Sequence, residues 1–205
     1  DLDLFLRLAE LVDSKNIKHI SKICYHWRSH DESTASSGKQ KTYIFDSAEQ
    51  AIKEALLRRG LDAEPFLPPI AKKFEMCLNQ LRWNVVCDNE NAVTVLIPTK
   101  DRVDLLRRCI ESVCRTCNLD WIKLIVIDDR STEPETLSYF RELEASKKFD
   151  CKVVRPSVQS CNFNYARLIN EGVKYVETPY FLQLNNDIAA KDEGWLEDMV
   201  GWLCV

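Results

Sequence analysis

Glycine is scarce in this chain, with five in 205 residues. That scarcity bears on two large classes of nucleotide enzyme. Neither GxGxxG nor GxxxxGK[ST] occurs, and a dinucleotide-binding domain or a P-loop enzyme needs such a loop to bring backbone close to phosphate. Histidine is scarcer still: His19, His26 and His30 all fall near the start. No charge of one sign dominates. A net charge of −4 gives no general pull toward nucleic acid or an anionic membrane, so an anionic ligand must be held by a local site. No apolar run approaches the roughly 20 residues of a membrane-spanning helix. Asp1-Leu2-Asp3-Leu4 offers neither a starting Met nor a basic leader, so no signal peptide is read in this stretch and the chain is expected to be a fragment of a longer protein.

Cysteine, by contrast, is plentiful, at nine. The number is odd and several lie within apolar patterns, which points to reduced core residues of a cytoplasmic protein. Cys114-Arg115-Thr116-Cys117 is a CxxC. A zinc site there would need a second ligand pair, and the histidines are not near it in sequence.

The chain divides into three parts. In residues 1–63, Leu4, Phe5, Leu8, Leu11 and Val12 recur at helical spacing, which predicts a helix over 3–13. Ile23 to Trp27 reads as a short strand and residues 33–40 as a polar loop. Asp46-Ser47-Ala48-Glu49 resembles a capping box leading into a helix over 51–59, closed by Gly60. Residues 64–92 form a connector punctuated by Pro65, Pro68 and Pro69. Within it, Ile70, Phe74, Cys77, Leu78 and Leu81 suggest an amphipathic helix. From Val93 to residue 205 strands and helices alternate. Apolar strands begin at Val93, Ile122, Cys151 and Tyr180. Helical stripes run through Val103–Cys117, Leu137–Leu143, Tyr165–Val173 and Trp195–Trp202. This βαβαβαβα order predicts a mostly parallel sheet with helices on both faces, preceded by a small, mainly helical segment.

Ligands of open parallel sheets bind beyond the carboxyl ends of the strands. Three such ends here are polar: Pro98-Thr99-Lys100-Asp101-Arg102, Asp128-Asp129-Arg130-Ser131 and Asn185-Asn186-Asp187. Each has a plain alternative as a turn former or helix cap. Asp101 reads equally as a cap for the next helix or as a ligand contact, and Asp128 by itself reads as structural. Their convergence at three corresponding ends favours a binding edge. A phosphate there could be held by Mg²⁺ or Mn²⁺, which needs only one or two protein carboxylates. Asp187 is a suitable anchor.

Several segments match one known family in order. Val93-Thr94-Val95-Leu96-Ile97-Pro98-Thr99-Lys100-Asp101-Arg102 resembles the opening strand of family 2 glycosyltransferases. Ile125-Val126-Ile127-Asp128-Asp129-Arg130-Ser131 resembles their second-strand motif. Asn162-Phe163-Asn164-Tyr165-Ala166-Arg167 resembles the segment before the metal-site strand, and Leu184-Asn185-Asn186-Asp187 sits where the family carries its DxD. Gly194-Trp195-Leu196-Glu197-Asp198-Met199 resembles the stretch that comes after the family's DxD. The resemblance implies the GT-A fold (Rossmann-like) and a cytoplasmic transferase, at the inner face of the membrane if missing regions hold it there. It would move a sugar from a UDP- or dTDP-linked donor to a saccharide acceptor, with inversion, in cell-surface polysaccharide synthesis. Pro98, Thr99 and Asp101 would line the nucleotide pocket, and Asp129 would accept a hydrogen bond from the base. Asn186 would face the ribose and diphosphate, and Asp187 a divalent metal, Mg or Mn. The first acidic position of the DxD is Asn185 here, which lowers the charge offered to that metal.

Residues 1–63 resemble the end of such a domain. Asp1-Leu2-Asp3-Leu4-Phe5-Leu6-Arg7 is similar to its late helix, and His19 to His30 to its closing segment. The resemblance makes Asp1 the catalytic base for an acceptor hydroxyl, or else a helix N-cap. It makes His30 a metal or diphosphate contact, or else a solvated loop residue. The implied order is the tail of one transferase, a connector over 64–92, and the nucleotide-sugar-binding half of a second over 93–205, poorly active alone. Two other classes compete. A sugar nucleotidyltransferase would carry a glycine-rich loop after the first strand, which Pro98 to Arg102 does not supply. A non-catalytic interaction module would tolerate Asn185.

Overall fold

From Val93 onward, apolar runs suited to strands alternate with stripes suited to helices, and the backbone follows that alternation. The computed structural model describes residues 1–26, 43–156 and 163–204. It divides the chain into two compact units, residues 1–84 and 85–204. Trp27, His30, the loop over 33–40, Cys161 and Asn162 lie outside the described residues.

In the first unit, α1 (Leu2–Leu11) is followed by a 3-10 turn, Ser14–Asn16, and then by α2 (Tyr43–Arg59). Charged pairs join the two helices. Arg7 reaches Glu54 at 2.8 Å, and Glu10 receives Arg58 at 2.7 Å and Arg59 at 3.3 Å. Those cations hold the Glu10 carboxyl below its ordinary range, the Arg58 hydrogen bond being the main cause. α1 buries no residue, so its apolar stripe of Leu4, Phe5, Leu8 and Leu11 stays exposed. α2 buries Ala48, Ala51, Ala55 and Leu56 and ends at Gly60, whose φ of +66° supplies the left-handed turn that closes a helix. A short antiparallel pair completes the unit: β1 (Ala63–Phe66) and β2 (Gln80–Trp83), with Ala63 opposite Trp83, on either side of α3 (Pro69–Lys73).

Three sequence expectations fail in this unit. Ile23 to His26 form no strand and are exposed. Asp46 to Glu49 cap nothing, because α2 is already helical at Tyr43; Glu49 instead pairs with Lys53 one turn on. The helix expected through Leu81 stops at Lys73. There Glu75 turns left-handed at φ +52° and the Met76 amide bonds back to the Ala71 carbonyl. Leu81 goes to β2 instead.

The second unit holds a four-stranded parallel sheet, ordered β5-β4-β3-β6. Its strands are β3 (Val93–Thr99), β4 (Ile122–Asp128), β5 (Asp150–Val154) and β6 (Tyr180–Gln183). Helices α4 (Val103–Thr116), α5 (Pro134–Ala145), α6 (Tyr165–Val173) and α7 (Trp195–Gly201) complete it. Alternate strand residues serve opposite faces. Val93, Val95, Ile97, Leu124 and Val126 pack with Leu106, Ile110, Val113, Phe140, Leu143 and Leu196 from α4, α5 and α7. Leu96, Ile125, Ile127 and Val154 pack with Leu168 and Ile169 of α6. Each fully buried side chain of this size contributes roughly 1.5–3 kcal/mol. Gly172 lets α6 sit tightly on the sheet, since a Cβ there would run into Ile127 Cδ1. Helices on both faces of a parallel sheet are what the sequence predicts.

The cysteines divide. Cys109 is buried, Cys114, Cys117 and Cys151 are partly buried, and Cys24, Cys77, Cys87 and Cys204 are exposed, so half of the described cysteines are not core residues. Burial pushes the thiols of Cys109, Cys114 and Cys117 up to about 11 and that of Cys151 to about 12. Only the thiolate is nucleophilic. In the folded protein at about pH 8 these four should therefore resist iodoacetamide while exposed Cys24 alkylates. Peptide mass mapping checks this, and rapid modification of native Cys109 would show that the α4 interface is not closed.

Candidate functional site

One proline decides where the sheet opens. β3 pairs with β6 from Val93↔Tyr180 to Leu96↔Gln183, and the Leu184 amide still donates to the Leu96 carbonyl at 2.9 Å. The next bond of a parallel ladder on that side would come from the amide of residue 98. Pro98 has none. On its other side β3 stays paired: Pro98 faces Ile127, Thr99 faces Asp128, and the Asp129 amide donates to the Thr99 carbonyl at 2.8 Å. β6 therefore leaves the sheet while β4 continues, and a cleft opens between their ends.

Thr99, buried, stands at the centre. Its hydroxyl donates to the Asp101 carbonyl at 3.3 Å and accepts from Asn186 Nδ2 at 3.0 Å. Its main chain holds Asp129. One residue thus ties together all three polar strand ends.

The segment after β3 turns sharply. Asp101 and Arg102 are left-handed, with φ of 51° and 53°, and Arg130 after β4 is left-handed at 64°. Non-glycine residues in this region cost about 1–2 kcal/mol, and surrounding contacts hold them there. The Asp101 amide donates to Ser131 Oγ at 2.7 Å. Its carboxylate oxygen Oδ1 accepts from the Thr132 and Glu133 amides at 2.7 and 2.8 Å. Glu133 is the N-cap of α5, so the Asp101 side chain fastens the entrance of α5 rather than that of α4. Asp128, buried, accepts from the Ser131 amide at 2.8 Å and lies 3.6 Å from Arg155. Asp129, also buried, receives Arg130 on both oxygens, at 3.0 and 3.2 Å.

The third wall is the turn after β6. Asn185 Oδ1 accepts from the Tyr165 hydroxyl at 3.3 Å, and the Ile188 amide closes the turn on the Asn185 carbonyl at 3.2 Å. Tyr165 opens α6 next to Asn164, which caps that helix by accepting from the Arg167 amide. Asp187 is exposed.

These walls enclose a cleft of about 330 Å³. Of the candidate residues named from sequence, Pro98, Thr99, Asp129, Asn186 and Asp187 line it. Asp101 is not a lining residue. Asp1 is the N-cap of α1 in the first unit and makes no side-chain cap bond. His30 lies outside the described residues. Sequence reasoning did not assign Lys100, Arg102, Phe163 and Tyr165 to the site, although all four line it. Tyr165 carried a signal, as the first helical residue after an asparagine cap. An adjoining cleft of similar size, lined by Asp128, Arg130, Arg155 and Arg167, shares Asp129. Among the described residues no group of three or more His, Cys, Asp or Glu is arranged to hold a metal. Asp187 is the one carboxylate of its turn. That donor set fits an ion completed by ligand oxygens rather than a closed protein cage.

Residues 94–205, more than half the chain, match the Glycosyl transferase family 2 model. The chain belongs to this family. It is 30% identical over 201 residues to a protein designated y4gI of Sinorhizobium fredii, covering 98% of this chain and 21% of that one. It is 29% identical over 199 residues to the O-antigen biosynthesis protein RfbC of Myxococcus xanthus, covering 97% of this chain and 14% of that one. The chain therefore spans at most about a fifth of the curated relatives it matches. Among solved structures, the mannosyltransferase PcManGT of Pyrobaculum calidifontis, in complex with GDP-Man and Mn²⁺, superposes with a TM-score of 0.50 at 19% identity. That match covers 60% of this chain and 36% of the other, and it shows the GT-A fold.

Because Asp101 holds two backbone amides across the cleft rim, Asp101→Ala should lower unfolding free energy by about 1–3 kcal/mol. Asp101→Asn, which keeps an acceptor oxygen, should lose less. Urea titration of both variants tests this, and equal losses would show that the acceptor is not what matters.

Proposed function

We propose that residues 93–205 form the donor half of a sugar transferase that takes its sugar from a UDP- or dTDP-linked nucleotide. The carrying observation is the joining of the three strand ends through Thr99, with Asn186 on its hydroxyl and Asp129 on its carbonyl. A nucleotide in this cleft would lie against Pro98 and Thr99. Asp129 would receive the base N–H: a carboxylate has about four lone-pair positions, so capacity remains beside the two Arg130 bonds. Asn186 would meet the ribose and diphosphate. Asp187 would hold Mg²⁺ or Mn²⁺ jointly with diphosphate oxygens, and that ion would neutralise charge on the departing nucleoside diphosphate. Lys100 and Arg102, both at the cleft, would add positive charge where Asn185 has removed a negative one.

The acceptor would be a saccharide and the transfer would invert the anomeric centre, in the synthesis of cell-surface polysaccharide. The O-antigen role named for the Myxococcus relative supports that assignment. We read residues 1–63 as the closing segment of one transferase domain, with Asp1 as its acceptor base and His30 as its metal or diphosphate contact. Residues 64–92 are then a connector to the second domain. We assign the reaction to the cytoplasm, at the membrane's inner face if regions outside this chain hold it there. No helix among the described residues is long and apolar enough to cross a membrane.

Titration calorimetry of UDP and dTDP, with Mn²⁺ and with EDTA, tests the donor assignment. One of the two nucleotides should bind, and Asp187→Ala should weaken the Mn²⁺-supported binding about tenfold. Absence of nucleotide binding under every condition would instead leave a docking module.

A further inference from the structure

Helix α4 starts at the cleft and then runs beneath the segment from Asn185 to Trp195. Four of its side chains hold that segment at three places. Cys109 Sγ donates to the Asn185 carbonyl at 3.6 Å. The Ser112 hydroxyl accepts from the Ala190 amide at 2.9 Å, and Arg115 donates to the Ala190 carbonyl at 3.1 Å. Thr116 Oγ1 accepts from Trp195 Nε1 at 3.0 Å. Ala190 thus has both of its main-chain polar groups taken by side chains of one helix. Ser112 and Thr116 are buried, and their own hydrogens go back into α4, to the Cys109 carbonyl at 2.7 Å and the Ser112 carbonyl at 2.9 Å. Each hydroxyl is therefore fixed as an acceptor toward the loop.

This arrangement binds no ligand itself. Its effect is on Asp187, which sits exposed between the two held positions, Asn185 and Ala190. The turn around it contains no glycine or proline to stiffen it, and β6 has already left the sheet. We infer that Ser112, supported by Arg115, is a positioning residue: it fixes Asp187 from behind and keeps the single carboxylate where the diphosphate and its metal would meet it. A metal-holding turn with one carboxylate depends on that placement more than a turn with two, because no second anion of the turn can compensate for a displaced one. The inference rests on the donor assignment above and deepens it.

The test is a double-mutant cycle on the whole 205-residue chain, read as Mn²⁺-supported binding of UDP and dTDP. Ser112→Ala should weaken binding about five- to tenfold. In the Asp187→Ala background the same change should add little, because a residue acting through Asp187 has nothing left to act on. Thr116→Val removes a comparable buried bond at the start of α7. It should lower thermal stability about as much as Ser112→Ala while leaving the nucleotide affinity within about twofold. Amide exchange should rise at Ala190 in Ser112→Ala. If Asp187→Ala itself leaves Mn²⁺-supported binding unchanged, or no nucleotide binds, the donor assignment fails. If Asp187→Ala weakens binding but Ser112→Ala does not, or the two losses add in full, the positioning role fails alone.

Discussion

Between β3 and β6 the parallel ladder runs to the bond from Leu184 to Leu96 and stops, because residue 98 is a proline and has no hydrogen to give. Much of the site depends on that. β6 is released after four paired residues, whereas β4 remains in register through Asp128. The strands diverge, and the residues just beyond each of them must line the space between. Thr99 bridges the gap with its side chain on one flank and its main chain on the other, so a polar cleft opens without loss of order. A residue with an N–H at 98 would allow the ladder to continue and narrow the place where Asn186 now meets Thr99.

Around that opening, backbone strain is balanced by specific bonds. Asp101, Arg102 and Arg130 all take left-handed conformations without being glycine. The Asp101 carboxylate holds the start of α5, and its amide is held by Ser131. Asp129 and Arg130 close on each other. Carboxylates thus serve two tasks within a few residues, some fixing loops and others left facing the cleft. Which task each performs is a matter of what lies opposite, not of residue type.

That distinction marks how far the sequence could be read. The alternating apolar runs after Val93 are long and regular, so the parallel sheet, the helices on both faces and the polar strand ends were legible in them. The strand-end rule marked the three polar segments, and the resemblance to family 2 glycosyltransferases singled out Pro98, Thr99, Asp129, Asn186 and Asp187 within them. The job of Asp101 could not be read, since its partners Thr132 and Glu133 are about 30 residues away and offer only backbone amides. In the first unit the apolar spacing of Ile70, Phe74, Leu78 and Leu81 matched a helix, but the first three are exposed and Leu81 pairs in β2. Periodicity predicts a helix where a partner surface pays for the buried stripe, and among the described residues that stripe has none. The Asp46 to Glu49 pattern failed for a different reason: an N-cap works only if the chain before it is not already helical.

The hold on Ala190 has a consequence for how this fold varies. Ser112 and Arg115 grip only main-chain atoms, and every residue except proline presents the same two groups. These two bonds therefore place no demand on the side chain at 190, while the restriction is recorded on a helix some 75 positions earlier. A comparison of sequences across the loop would find little to mark it. Its shape would still be inherited, carried by letters written elsewhere.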